Sequence, residues 1–242
     1  MRPVVALLSL VTIGLVTAPS AEAYSGNPQS SSRWRACSPY LDGVRTSVDQ
    51  GQRTVTIVRG SGSSYARVSF WVRTNSTCDF SQKFLNTGGR VGSSGITNGA
   101  TRTQGTNTTP SGTYTMTEAF GLQGASAYLP YRRVQANDFW VEDNNSPYYN
   151  SYRNSRDGGF DANLPATNDN GSERLTNYPG RYDYAIVVNF NRTPDYQVRG
   201  RGAGIFLHVT GRGATAGCVS VSASQMRTML GYMKPNDKIT IQ

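Results

Sequence analysis

Short β-branched or alternating runs, each only long enough for one strand, are what most constrains the fold of this chain. Thr54-Val55-Thr56-Ile57-Val58 is β-branched throughout and stops at Gly60, which reads as a strand and a turn. Ala66, Val68, Phe70 and Val72 alternate with Arg67, Ser69 and Trp71, the period of a half-buried strand. Thr113 to Thr117 alternates likewise. Ala185–Phe190 and Ile205–Val209 are nearly continuous apolar runs suited to strands buried on both faces, and Lys238–Ile241 supplies a last strand. Only one segment has helical period. Ser222 and Gln225 stand in capping-box relation, Met226, Met229, Leu230 and Met233 follow on one face, and Pro235 ends the element. The expectation is a mainly β domain with one or two short helices.

The amino terminus carries a different pattern. Met1-Arg2-Pro3 is a short basic start, Val4–Ala18 is almost wholly apolar, and Ala21-Glu22-Ala23 has the form of a cleavage site. Residues 1–23 are therefore expected to be a secretory signal peptide, with an apolar core too short for a good membrane span. The expected mature chain starts at Tyr24 with a polar lead-in over 24–45, and a single domain over 46–242. No second apolar run of spanning length follows, so no integral membrane anchor is expected after cleavage. The expected location is secreted, in the cell wall or periplasmic space.

In an oxidising compartment cysteines tend to pair. The chain has three. The economical pairing is Cys37 with Cys78, leaving Cys218 as a free thiol; the residues alone leave open a pairing that consumes Cys218. A bridge closing a loop of that size contributes about 3–4 kcal/mol. The formal net charge of +9 favours anionic partners, with cell-wall polymers or a membrane surface as the candidates in that compartment. The basic residues are scattered, and no nucleic-acid partner is expected.

Chemistry concentrates near the carboxyl end. His208, the only histidine in 242 residues, precedes Cys218 by ten positions across a spacer containing Gly211, Gly213 and Gly217. A thiol is a strong nucleophile as thiolate, and an imidazole is the usual group that takes its proton near neutral pH. Read singly, the histidine is a hydrogen-bonded strand-end residue and the cysteine a small buried hydrophobe. Together across a glycine-rich loop they read as a catalytic pair. With no second histidine and no close cysteine pair, no metal site and no cofactor are expected. Glu142–Asn170, rich in Asn, Asp, Ser and Gly, reads equally as a solvated insertion or a substrate lid.

Phe206-Leu207-His208 and Thr215-Ala216-Gly217-Cys218, together with the upstream Thr109-Pro110-Ser111-Gly112-Thr113-Tyr114 and Ala119-Phe120-Gly121, resemble the L,D-transpeptidase (YkuD-like) catalytic domains of bacterial wall enzymes. The likeness spans Thr54 to Gln242. It implies a YkuD-like β-sandwich in which Cys218 attacks a peptidoglycan stem peptide with His208 as base, and the nucleophile loop Thr215, Ala216 and Gly217 helps hold the oxyanion. The donor would be a tetrapeptide stem cut after its third residue, and a side-chain amine of a neighbouring stem would resolve the thioester. The resemblance also implies acylation of Cys218 by carbapenem-type β-lactams. Three features depart from the family pattern. Ala216 stands where a second histidine is common, Ser220 where an arginine is common, and the spacer is short. Positive charge for a donor carboxylate must then come from elsewhere; Arg201 and Arg212 are candidates, though each reads rather as a solvated loop residue, and Thr210 or a backbone carbonyl is the expected partner orienting His208. Competing readings are an L,D-carboxypeptidase with water as acceptor, a sortase-like cysteine acyltransferase, and a non-catalytic wall-binding β-domain. The sortase pattern adds a longer separation, an arginine after the cysteine and a membrane anchor. NlpC/P60 peptidases run cysteine before histidine, opposite to this chain.

Overall fold

The computed structural model describes residues 34–194 and 196–242. The expected leader, its cleavage site and the start of the lead-in lie outside the described residues. Strands β1 (Tyr40–Leu41) and β2 (Val44–Arg45) form a small hairpin. Strands β3 (Thr54–Gly60), β4 (Tyr65–Arg73) and β5 (Phe80–Arg90) follow as an antiparallel meander. Next come β6 (Ile96–Asn98), the long β7 (Thr109–Gly121) and β8 (Tyr131–Arg133), then β9 (Asp138–Val141), β10 (Ser151–Asn154) and β11 (Glu173–Arg174). The chain ends with β12 (Ala185–Val188), β13 (Phe206–Val209), β14 (Val219–Val221), helix α1 (Ala223–Leu230) and β15 (Asp237–Ile241). Among the described residues no helix is long and apolar enough to cross a membrane.

Two layers face each other because β7 belongs to both. Its first half, Gly112 to Met116, pairs antiparallel with β15, while Met116 to Phe120 pairs with β12. A strand that changes partner in this way turns a corner between sheets. One layer runs β5-β4-β3-β15-β7, the other β14-β13-β12-β7, and the contact of Ser220 with Arg90 joins them at the far edge. Between the layers lies the main core, built from Val58, Val68, Phe70, Met116, Ile186, Val188, Leu207, Val219, Val221 and Ile239. Helix α1 plugs one end with Met226, Met229 and Leu230. Its Ser222 and Gln225 form the expected capping box. The helix stops at Gly231, earlier than Pro235 suggests, and Met233 enters the core from the turn beyond it.

Each layer is also covered on its outer face. Leu41, Val44 and Val48 pack on Val55 and Ile57, and Asp42 accepts bonds from Ser69 Oγ and Arg67 Nε, both at 3.1 Å. The described part of the lead-in is thus packed onto β3 and β4, and the strand expected to be half-buried has Ser69 wholly buried. Cys37 is joined to Cys78, Cα–Cα 6.2 Å, which ties this segment to the β4–β5 turn, and Cys218 is free. On the other layer, β9, β10 and β11 form a separate three-stranded sheet that lays Trp140 and Leu175 on Phe206, Ala185 and Val187.

Candidate active site

Parallel pairing of β13 with β14 sets the site. Leu207 lies opposite Val219, His208 opposite Ser220 and Val209 opposite Val221. Paired residues share a sheet face and the side-chain period is two, so Phe206, His208, Cys218 and Ser220 point one way and Leu207, Val219 and Val221 the other. The second set fills the main core; the first faces the outer sheet. His208 and Cys218 therefore stand on one face of adjacent strands, two residues out of register, and both line a cleft of about 310 Å³.

The imidazole is held by its own strand. Nδ1 lies 2.8 Å from the carbonyl of Val209. A carbonyl only accepts, so Nδ1 carries the hydrogen and Nε2 keeps its lone pair. The ring is buried, edge-on to Tyr182 at 5.5 Å between centroids. Burial pushes its pKa down to about 4; the Val209 bond opposes this and Arg181 adds to it. Thr210 is not the orienting group, because its hydroxyl donates to Ser220 Oγ at 3.2 Å.

Cys218 is also buried, 8% exposed. Its sulfur accepts from Phe206 N–H and donates to the Gly204 carbonyl, both at 3.3 Å. Burial pushes the thiol far up, Glu173 and Glu142 push it further, and the Phe206 N–H and Arg102 pull back. Among the described residues no hydrogen bond joins this sulfur to the imidazole. At rest the pair is a neutral thiol turned toward Gly204 and a neutral base.

The nucleophile loop is stapled to the rest of the molecule. Thr215 Oγ1 donates to the Cys218 carbonyl at 2.6 Å and accepts from Gly217 N–H at 3.2 Å. Thr109, first residue of the upstream motif, reaches the same carbonyl at 3.4 Å, so the two sequence motifs meet here. Gly217 has φ +142, and a Cβ there would lie 2.9 Å from the Thr108 carbonyl oxygen. No side chain fits that approach. Ala216 stays exposed at the rim of the cleft.

Neither Arg201 nor Arg212 lines the cleft; the cations that do are Arg102 and Arg181. Arg201 instead lends its carbonyl to Arg102 Nη1 at 3.0 Å, and the Thr108 carbonyl takes Arg102 Nε at 2.8 Å, so Arg102 is fixed and only 6% exposed. Of Glu142–Asn170, only Glu142 and Ala166 line the cleft; Glu173 and Tyr178, which follow that segment, line it as well. Tyr182 donates its hydroxyl to Glu173 Oε2 at 2.7 Å. Burial raises both carboxyls: Glu142 well above the ordinary range, helped by Glu173 and opposed by Arg102, and Glu173 to about 7, opposed by the Tyr182 hydroxyl and Arg181. Arg102, Glu142, Glu173, Arg181 and Tyr182 carry no local motif, and long-range packing alone brings them to the thiol.

A sequence model of the L,D-transpeptidase catalytic domain, YkuD, matches residues 71–241. Among solved structures, the chain is similar to L,D-transpeptidase 1 of Mycobacterium tuberculosis. It is 12% identical, with a TM-score of 0.35, covering 82% of this chain and 66% of that one. It is also similar to an L,D-transpeptidase from Mycobacterium smegmatis, 13% identical, with a TM-score of 0.31, covering 84% of this chain and 64% of that one. The chain thus spans less than two thirds of the length of either solved chain. No curated protein matches it.

Proposed function

The chain belongs to the L,D-transpeptidase catalytic domain family, and from that membership we propose that it is a secreted cysteine L,D-transpeptidase of peptidoglycan, with Cys218 as nucleophile and His208 as general base. The observation that carries this reading is the shared face and shared cleft of the two residues, with Nε2 left as a proton acceptor. Secretion is supported by the leader-like pattern of residues 1–23 and by the Cys37–Cys78 bridge.

The resting state defines the first step. A neutral thiol beside a neutral imidazole means that the proton leaves as the bond to carbon forms, rather than from a standing thiolate–imidazolium pair. Sγ swings from Gly204 toward Nε2, attacks the carbonyl of the third residue of a tetrapeptide stem, and passes its proton to Nε2. The backbone N–H of Cys218 meets the developing oxyanion, while that of Gly217 stays on Thr215 Oγ1 and fixes the loop. Collapse breaks the amide, the imidazolium proton goes to the departing D-alanine amine, and a thioester remains. Arg102 and Arg181, the arginines that line the cleft, hold the donor carboxylate in place of the candidates Arg201 and Arg212. The side-chain amine of a second stem then displaces the sulfur, linking two third-position residues.

Incubating the mature protein with purified sacculi and reading the muropeptides by mass spectrometry tests this. Third-to-third cross-linked dimers and free D-alanine are expected from wild type, and neither from Cys218→Ala. Trimmed tripeptides without dimers would make the enzyme an L,D-carboxypeptidase. Unchanged muropeptides would leave only a wall-binding domain.

A further inference from the structure

We propose that Glu142 and Glu173 form the acceptor half of the site, receiving the ammonium group of the incoming amine and taking its first proton so that the nitrogen can attack the acyl-cysteine. This rests on the transpeptidase reading above and adds two catalytic groups to it.

The outer sheet places both carboxylates by its register. Glu142 directly follows the end of β9, and Glu173 of β11 pairs directly opposite Trp140. Shared faces across a ladder put Glu173 on the side of Trp140, and Glu142, just past the strand, lines the same cleft. That side is the one facing the nucleophile strands, since the Trp140 and Phe206 rings meet edge-to-face at 4.9 Å between centroids. Both carboxylates therefore line the cleft that also holds Cys218 and His208. Glu142 Oε1 lies so close to Gly204 that a side chain there would collide with it, and Gly204 is the residue whose carbonyl holds the thiol.

Neither glutamate is ion-paired at contact distance, although Arg102 acts on Glu142 and Arg181 on Glu173 from across the cleft. The salt bridges of the described residues are Arg67–Asp42, Arg192–Glu118 and Lys238–Asp49, so neither glutamate is in one. Arg102 and Arg181 line the cleft, but Arg102 spends Nε and Nη1 on backbone carbonyls. The remaining groups facing the pair are the phenols of Tyr178 and Tyr182, the thiol and the imidazole. Two like charges in an enclosed cleft are relieved by an ammonium ion between them or by sharing a proton. An acceptor amine supplies the first and leaves the second behind. Glu173, lifted to about 7 by burial, suits this work, because a general base is most effective near the working pH. His208 suits it less, since burial and Arg181 disfavour its charged form.

The step balances as follows. The acceptor arrives as an ammonium ion, and one proton passes to the carboxylates and on to solvent. The nitrogen bonds to the thioester carbon and the C–S bond breaks. The second N–H proton passes through His208 to the departing sulfur, which restores the thiol and leaves the amide.

The test is the partition of the acyl-enzyme. Mature protein is given a soluble tetrapeptide stem and rising concentrations of a third-residue side-chain amine, and the ratio of aminolysis to hydrolysis product is read by mass spectrometry. Glu142→Gln and Glu173→Gln are each expected to lower that ratio at least tenfold, with near-UV circular dichroism showing a native fold. Because both products come from one intermediate, the ratio does not depend on how fast that intermediate forms. Loosened packing would lower both products together and leave the ratio at the wild-type value, which would overturn the proposal. If one variant does not fold, the other decides. Absence of any acyl-enzyme with wild type would overturn the transpeptidase reading itself, and this proposal with it.

Discussion

Burying an imidazole and carboxyls in one cleft makes stability depend on pH in two opposed ways. His208 has a pKa of about 4 in the fold against an ordinary value of 6.5. Between those values the unfolded chain takes up a proton that the folded chain refuses, so stability is lost as pH falls from about 6.5 toward 4. At about 1.4 kcal/mol per pKa unit the loss is roughly 3 kcal/mol. Glu173 has the opposite sign, raised from 4.5 to about 7. The unfolded chain gives up a proton that the folded chain keeps, and stability is lost as pH rises through that window. His208→Gln should flatten the acid limb and Glu173→Gln the neutral one, measured by urea unfolding at half-unit steps from pH 4 to 8. An unaltered slope below pH 6 in His208→Gln would show that the ring is not buried neutral. Gly217 is constrained by space as well as by φ, because a Cβ would also meet Arg102 Nη2 and Ile205 Cδ1, each at 3.1 Å. Gly217→Ala should cost about 1–3 kcal/mol of stability and slow acylation by a carbapenem-type β-lactam, followed as the rate of adduct formation by mass spectrometry.

Two devices hold whole elements in place, and neither touches the cleft. The capping box of α1 satisfies the Gln225 N–H through Ser222 Oγ at 3.3 Å and the Ser222 N–H through Gln225 Oε1 at 3.0 Å. Ser222→Ala should cost about 1 kcal/mol, a fall in Tm of roughly 2–4 °C for a domain of this size, seen by calorimetry. The Cys37–Cys78 bridge spans 41 positions and secures the segment that covers β3 and β4. Replacing both cysteines by alanine should cost about 4 kcal/mol by loop-closure entropy, read from denaturant unfolding, while carbapenem acylation of Cys218 continues at the wild-type rate.

The whole molecule is closed by its last strand. β15 lies between β3 and β7, parallel to the first and antiparallel to the second, so the sheet is completed by residues at opposite ends of the domain. Polar contacts reinforce the closure: Thr46 Oγ1 meets Thr240 Oγ1 at 3.0 Å, and Thr54 Oγ1 donates to Asp237 Oδ2 at 2.7 Å. A chain ending at Pro235 should lack a cooperative unfolding transition and bind a hydrophobic dye, because two central strands lose their ladder partner and the core opens. The charge of +9 acts on the same scale. Adsorption of the Cys218→Ala protein to purified walls should weaken steeply between 50 and 300 mM salt as screening grows, measured by co-sedimentation.

The local periodicities of the sequence sufficed for the strands within β3, β4, β12, β13 and β15 and for the capped helix, because burial of an alternating or helical stripe is a local instruction. They missed β5, whose Ser81-Gln82-Lys83 and Asn86-Thr87-Gly88-Gly89 show no apolar alternation; its place is set by pairing with β4 and β14. The pair His208 and Cys218 was legible because one rare side chain stands near another across a flexible spacer. Their common face came from a parallel register that no short window contains. Arg102, Glu142, Glu173 and Arg181 were hidden for the same reason: each is an ordinary charged residue in its own segment. Packing of a separate three-stranded sheet over β13 brings Glu142 and Glu173 to the thiol, the carbonyls of Thr108 and Arg201 fix Arg102 there, and burial raises the proton affinity of the two carboxyls in a way their own segments do not specify.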